Sequence, residues 1–405
     1  MTAAPPAAAN QGRIVALLCL AEALSMTGFA AYPAFLPALR DAWNMSGAEA
    51  GFVGGAFFFG YMLAVPFLSG VTDRLDARGV FAFSCALAAA GTAGFAVFAD
   101  GMMSGAAFQA LAGAGLGGTY MPGLKALTDR VGGPRQPRYI AFYTATFGIG
   151  TSLSLLAAGW LGDALPWRTA FVLLALGPLL ALPIVLGALR PQHPHGAHQA
   201  PWLPRFGPVL ALREVRRYIV GYSLHCWELF GLRSWLVAFI AFAYAASGAA
   251  PPIGPTEAAA AINLLGLPAS ILGNEAAGRV GRSRWIAGVM IASGVLCWLA
   301  GVSSAWPWWL MLAALGLYFT TVMADSAALT AGLVAATPLA QRGAAMALYS
   351  LLGFGAGFVA PLVFGATLDA AGGGSMAWAL AFGTLGSGGL MWALVTRRGE
   401  SGAAR

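Results

Sequence analysis

Charged side chains are scarce in this chain: Asp, Glu, Lys and Arg make up 9% of its 405 residues, where a soluble domain carries about a quarter. Lysine occurs once, at Lys125. So thin a supply of charge excludes an ordinary soluble surface. Cysteine is rare as well, and Cys19, Cys85, Cys226 and Cys297 lie inside apolar runs without paired or metal-ligand spacing. Neither a disulfide framework nor a zinc site is implied. A nucleotide loop, a nucleophile elbow and a metal cluster are missing too, and no soluble segment is long enough to house one. The sequence therefore argues against an enzyme and calls for no cofactor.

What the chain has instead is apolar length. Hydrophobic residues make up 59% of it, and about 20 apolar residues per helix cross a bilayer, so roughly a dozen spans fit. The runs fall at 14–39, 48–69, 79–98, 103–125, 138–161, 168–188, 218–246, 256–277, 284–302, 307–333, 342–368 and 374–396. Nineteen of the 22 Lys and Arg residues lie in or beside alternate gaps and the termini; the exceptions are Arg40, Arg168 and Arg233. Basic loops stay on the cytoplasmic side, so the alternation predicts twelve spans with both termini in the cytoplasm. All are expected to be helices, because hydrocarbon leaves no partner for unpaired backbone groups. The net charge of +7 is read as a topology signal facing anionic headgroups, not as a nucleic-acid surface. The opening MTAAPPAAANQG lacks a cleavage pattern, so the first span is expected to stay in the protein.

The longest interior gap, 189–217, divides the spans into an N-terminal bundle of six (1–188) and a C-terminal bundle of six (218–405). Its Pro- and His-rich stretch, with His193, His195 and His198, reads as a solvated linker and not a metal site. The halves repeat weakly. Aligning Arg74 with Arg279, an offset of 205, places Gly148 and Gly150 on Gly353 and Gly355 and brings Glu22 within one residue of Glu228. Repeats of this kind build rocking transporters with the cargo site between them. The expected fold is an all-α membrane protein of two pseudo-symmetric six-helix bundles. Gly113, Gly115, Gly117 and Gly118 resemble a GxGxxG dinucleotide loop only superficially, since no soluble strand precedes them. They are read as close helix packing in lipid.

The loop after span two, Gly70-Val71-Thr72-Asp73-Arg74-Leu75-Asp76-Ala77-Arg78, resembles the loop motif of the major facilitator superfamily, Gly-x-Leu-x-Asp-Arg-x-Gly-Arg. It keeps the first Gly and the Asp-Arg pair, and Asp76 stands where the motif has its second Gly. Gly159-Trp160-Leu161-Gly162-Asp163 followed by Trp167-Arg168-x-x-Phe171 is similar to the family's corner between spans five and six. The resemblance covers essentially the whole chain. It implies a cytoplasmic gate that includes Gly70, Asp73, Arg74, Arg78, Asp129 and, in the second half, Arg279. It further implies that the loop charges of Asp73, Arg74 and Arg78 with Asp129 and Arg130 bridge helices and are remade as the halves rock. Two groups of the family fit poorly. Gln109 occupies the position of the drug exporters' span-four Arg and Ala157-Ala158 that of their Gly-Pro pair, while spans two and eight lack the arginines of nitrate carriers. The sequence is somewhat similar to small-anion and organic-anion permeases of the cyanate-transporter type.

Five ionisable residues lie well inside spans: Glu22, His225, Glu228, Arg233 and Asp325. Each costs several kcal/mol unless paired or hydrated, which makes each a functional candidate. Glu22 and Glu228 are expected to bind a proton or cargo; the alternative is a fixed carboxylate that pins helix packing. His225 and Glu228 are three residues apart on one helical face, with Trp235 continuing the stripe. Ser25, Met26 and Phe29 share the face of Glu22, and with Tyr32 they are expected to line a cavity. Arg233, about 140° around the helix from Glu228, suits an anionic cargo or a salt bridge to another span. Lys125 and Asp325 are a candidate cytoplasmic lock between spans four and ten.

The expected function is proton-coupled alternating-access transport of a small solute, first an organic or inorganic anion, by a monomer in the bacterial inner membrane. Efflux of a cationic or amphipathic compound and a non-transporting receptor or scaffold are the alternatives.

Overall fold

The computed structural model describes residues 8–72, 74–192, 205–248 and 251–403. Helix lies over every one of the twelve apolar runs, and the described residues contain no strand. Span one is divided between α1 (Ala8–Ser25) and α2 (Ala31–Ala42); spans two and three are α3 (Gly47–Val71) and α4 (Ala77–Phe98). Span four is divided between α5 (Met102–Gly117) and α6 (Tyr120–Arg130), and spans five and six are α7 (Gln136–Ala164) and α8 (Trp167–Ala188). A short α9 (Phe206–Ala211) leads into span seven, α10 (Arg213–Ser247). Span eight comprises α11 (Pro255–Leu264) and α12 (Gly266–Val280), span nine α13 (Arg282–Val302), and span ten α14 (Trp308–Met323) and α15 (Ser326–Ala336). Spans eleven and twelve are α16 (Arg342–Ala370) and α17 (Gly374–Ala403).

Nine helical stretches among the described residues are long and apolar enough to cross a membrane. They include spans eight and ten, each made of two helical pieces, and leave out spans one, four and twelve. Large apolar side chains such as Phe83, Trp160, Leu272 and Val295 are exposed. In a chain of this apolarity, that surface is the one lipid covers.

The helices form two compact units: Met1–Phe35 with Gly60–Leu203, and Leu36–Phe59 with Pro204–Arg405. The first is centred on Phe81, Cys85, Leu127, Tyr143 and Val185, which pack against Val15 and Leu18 of α1. In it Gly115 of α5 lies against the backbone of Ala88 in α4, an approach that any side chain would prevent. The second has one cluster around Ile219, Leu333 and Tyr349 and another around Ile286, Met290, Leu329 and Trp392. Trp235, Phe364, Trp378 and Phe382 add an aromatic stack.

Two of the three arginines outside the basic gaps have structural duties. Arg168 donates to the Ala96 and Ala99 carbonyls at 2.6 and 2.9 Å, satisfying orphan acceptors at the end of α4. Arg40 donates to the Met45 carbonyl (3.2 Å) and stands 3.9 Å from Asp369. Arg233 is the third, and it belongs to the candidate site.

Candidate functional site

Span one breaks after Ser25, and the break is held by hydroxyls. A helix interrupted in hydrocarbon must find other partners for its freed backbone groups. Ser25 Oγ donates to the Glu22 carbonyl (2.8 Å), and Thr27 Oγ1 stands 3.1 Å from Leu24 O and 2.6 Å from Leu174 O. Ser154 Oγ donates to Thr27 O (2.7 Å) and accepts from the Ala30 N–H (2.9 Å). This scaffold fixes the last turn of α1, where Glu22 lies fully buried.

Glu22 faces a second break, at Gly118 and Thr119 of span four. The Tyr143 hydroxyl of α7 stands 3.1 Å from Glu22 Oε2 and 3.1 Å from the Thr119 carbonyl. One phenolic proton serves two acceptors, so the carboxylate and the broken helix compete for it. Glu22 Oε1 is buried without a hydrogen-bond partner among the described residues. A proton arriving on Glu22 would supply its own donor and release the tyrosine to the carbonyl.

The second unit carries the other four charged candidates. Glu228, buried in α10, accepts from Ser293 Oγ of α13 at 2.9 Å, while its Oε1 has no partner among the described residues. Tyr318 of α14 stands beside it, fully buried. One turn earlier, His225 Nδ1 lies 2.8 Å from Asp325 Oδ1, with side-chain exposures of 2% and 3%. Asp325 is thus placed at the break between α14 and α15 beside His225, and not among the loop charges with which the sequence grouped it. Lys125 has its own partner, Asp129, at 3.1 Å one turn along α6.

Arg233 donates through Nε to Asn263 Oδ1 of α11 (2.9 Å), and its guanidinium lies 5.6 Å from the Phe319 ring centroid. No carboxylate comes within 4.0 Å of it among the described residues. Both terminal amino groups of its planar fork are left for another acceptor.

The expected lining residues divide. Ser25 bonds the Glu22 carbonyl and stands 3.4 Å from Thr119 Oγ1, and Phe29 meets Phe147 edge to face at 5.7 Å. Met26 is fully buried against Gly150, and Tyr32 packs on Phe95 at 6.1 Å. Trp235 is 1% exposed, donates to the Pro361 carbonyl (3.0 Å) and stacks on Phe364. One edge of it borders an opening of about 670 Å³ that Arg40, Phe242, Asp369 and Trp378 also line.

In the loop after span two, the organising residue is Asp76. It caps α4 by accepting the Arg78 N–H (3.0 Å), accepts the Gln192 N–H (2.8 Å) and pairs with Arg130 at 2.6 Å. Arg130, its side chain 4% exposed, also donates to the Arg190 carbonyl. Arg78 reaches the Leu186 carbonyl at 2.6 Å. Gly70 ends the span with open space where a Cβ would stand, and Arg279 sits exposed in the last turn of α12. Asp73, the linker histidines and the rest of 193–204 lie outside the described residues.

The sequence model of the Major Facilitator Superfamily matches residues 18–256, more than half of the chain. The chain belongs to this superfamily. Its fold agrees: it superposes on the D-xylose-proton symporter with a TM-score of 0.71 at 14% identity, covering 94% of this chain and 96% of that one. With the human organic anion transporter MFSD10 (TETRAN) the TM-score is 0.66 at 18% identity, covering 97% and 100%. These likenesses are of fold alone. In sequence, the niacin transporter NiaP of Acinetobacter baylyi (strain ATCC 33305 / BD413 / ADP1) is 26% identical over 160 residues, 40% of this chain and 36% of that protein. Family and fold are those of multi-pass membrane transporters for small molecules, not of enzymes.

Within this superfamily fold, the partners that sequence reasoning missed are hydroxyls and an amide: Thr119, Tyr143, Ser293, Tyr318 and Asn263. Spaced through apolar runs, they give no signal of which face they occupy. Asp76 was visible in the loop motif, but only as a departure from it.

Proposed function

We propose that the chain is a secondary active transporter that carries a small organic anion by proton-coupled alternating access. The observation that carries this reading is Arg233, a cation inside a span whose one hydrogen bond among the described residues goes to a neutral amide. A carboxylate cargo would complete it, held by two parallel charge-assisted bonds. Niacin, an aromatic carboxylate, is the first candidate, supported by the sequence likeness to NiaP; the likeness in fold to an organic anion transporter is consistent with it. Glu22 and Glu228 are the proposed proton sites. Each has one oxygen bonded to a hydroxyl and one without a partner among the described residues, so each can gain a proton without losing an ion pair. The proposal takes the two six-helix halves, 1–188 and 218–405, as the rocking bodies and 189–217 as their linker. It places a monomer in a bacterial inner membrane with both termini cytoplasmic.

The test is ligand-induced stabilisation of purified protein. Niacin and benzoate should raise the melting temperature of wild type by mass action and leave that of Arg233→Gln unmoved. Losing a charge-assisted contact of about 2 kcal/mol weakens binding by roughly thirtyfold. The competing reading, a cationic cargo drawn to Glu22 and Glu228, predicts stabilisation by organic cations that survives Arg233→Gln. A broad panel of organic anions without effect on wild type would contradict the proposal.

A further inference from the structure

At a separation of 206 residues, the two halves of the chain carry matching polar clusters at matching helix breaks. Glu22, Thr119 and Tyr143 correspond to Glu228, Asp325 and Tyr349, and Cys19 corresponds to His225. Thr119 stands at the break between α5 and α6, Asp325 at the break between α14 and α15. The acids and the tyrosines are the same in both copies. Where the first has a cysteine and a threonine, the second has a histidine and an aspartate, and these two meet at 2.8 Å in a buried site.

We infer that His225 and Asp325 form a protonation-dependent lock on the break in span ten, a device present in the second half and absent from the first. The inference deepens the transport reading and rests on it for the use of the lock, not for its operation. With both ring nitrogens of His225 protonated and the Asp325 carboxylate ionised, the pair has no net charge and holds α10 against the start of α15. Removing one ring proton leaves a lone carboxylate beside a neutral ring in a site almost closed to water, an arrangement that favours opening.

The break is otherwise held by groups that do not titrate. The Asp325 carbonyl accepts the Leu329 N–H at 2.8 Å, which starts α15. The Ala324 carbonyl accepts Trp285 Nε1 of α13 at 3.0 Å and lies against Gly273 of α12, where a Cβ would collide with it. The titratable groups facing the pair are Tyr222, Cys226 and Glu228 on α10 and Tyr349 on α16, with Tyr318 of α14 and Cys297 of α13 around Glu228. Arg233 acts on Cys226 from two turns along α10. Tyr349 is occupied with Thr330 at 3.0 Å and stacks on Tyr222 at 3.7 Å. Glu228 is therefore the one other acid to separate from the pair by experiment.

The residues of the first half guide the choice of variants. In full-length protein, hydrogen–deuterium exchange is measured for peptides covering 318–333 from pH about 5 to about 9, corrected for the intrinsic pH dependence. Protection of wild type is expected to be greatest at the acid end and to fall by roughly tenfold or more as the pair loses its proton. Glu228→Gln should keep that profile. His225→Cys with Asp325→Thr, the residues the first half has at these places, should flatten it. If the double variant does not fold, Asp325→Asn, which leaves an amide beside the imidazole, should flatten it in the same way. A flat wild-type profile overturns the inference, as does a profile that survives removal of the pair or disappears in Glu228→Gln. No cargo enters the measurement, so failure to find a transported anion leaves its outcome intact.

Discussion

Arg130 pairs with Asp76 at 2.6 Å, and the same carboxylate accepts the backbone N–H groups of Arg78 and Gln192. Burial alone would raise the Asp76 pKa, but the bonds from Arg130, Gln192 and Arg78 outweigh it and hold the value below its ordinary 3.8. The stability this group contributes is therefore complete above that ordinary value and is lost as pH falls through the lowered one. Asp76→Asn should cost about 2 kcal/mol by taking the negative charge away from a buried guanidinium while leaving an amide oxygen to cap α4, read as a lower melting temperature at neutral pH. The difference from wild type should shrink on acidification, and Arg130→Gln should restore part of the loss in the double variant.

Tyr143→Phe should destabilise the protein by about 1–2 kcal/mol, because it strips the donor from both Glu22 and the Thr119 carbonyl. Thr119→Ala keeps that carbonyl and should cost under about 1 kcal/mol. Thermal unfolding of the two variants separates a role for the helix break from a role for the threonine hydroxyl. Equal effects would contradict the shared-proton geometry.

In the second unit, Gly51 of α3 sits against the Pro361 carbonyl of α16 with no room for a Cβ. Asp369 accepts the Gly47 and Ala48 N–H groups at 2.7 and 2.8 Å and so caps α3. Gly51→Leu forces the two helices apart and should cost about 1–3 kcal/mol. Asp369→Asn should cost about 1 kcal/mol through the weakened cap. Melting temperatures of single and double variants test whether the two effects couple, as contacts on one helix pair should.

The apolar runs and the alternation of arginine made twelve helices legible, because hydrocarbon leaves a spanning chain no other local structure. The breaks at 26–30, 118–119 and 324–325 were not legible. Each depends on hydroxyl, indole or carboxyl groups brought in from another span, and a hydropathy profile records no such partnership. The repeat shows the same limit. Aligned on Arg74 and Arg279 it gives an offset of 205, whereas Glu22, Thr119 and Tyr143 match their counterparts at 206, because the loops and the buried clusters differ by one residue of spacing. Lys125 and Asp129 were already one helical turn apart in the sequence, so the local pair was readable there. The approach of Asp325 to His225 was not, since it joins residues 100 positions apart.

Proton-driven carriage of an organic anion is tested most sharply by uptake into proteoliposomes containing the purified chain, with labelled niacin outside and a proton gradient directed inward. Accumulation above equilibrium is expected together with alkalinisation of the medium, both lost in Arg233→Gln and in Glu228→Gln. Accumulation that ignores the gradient, or that persists undiminished in Arg233→Gln, would contradict the proposed mechanism.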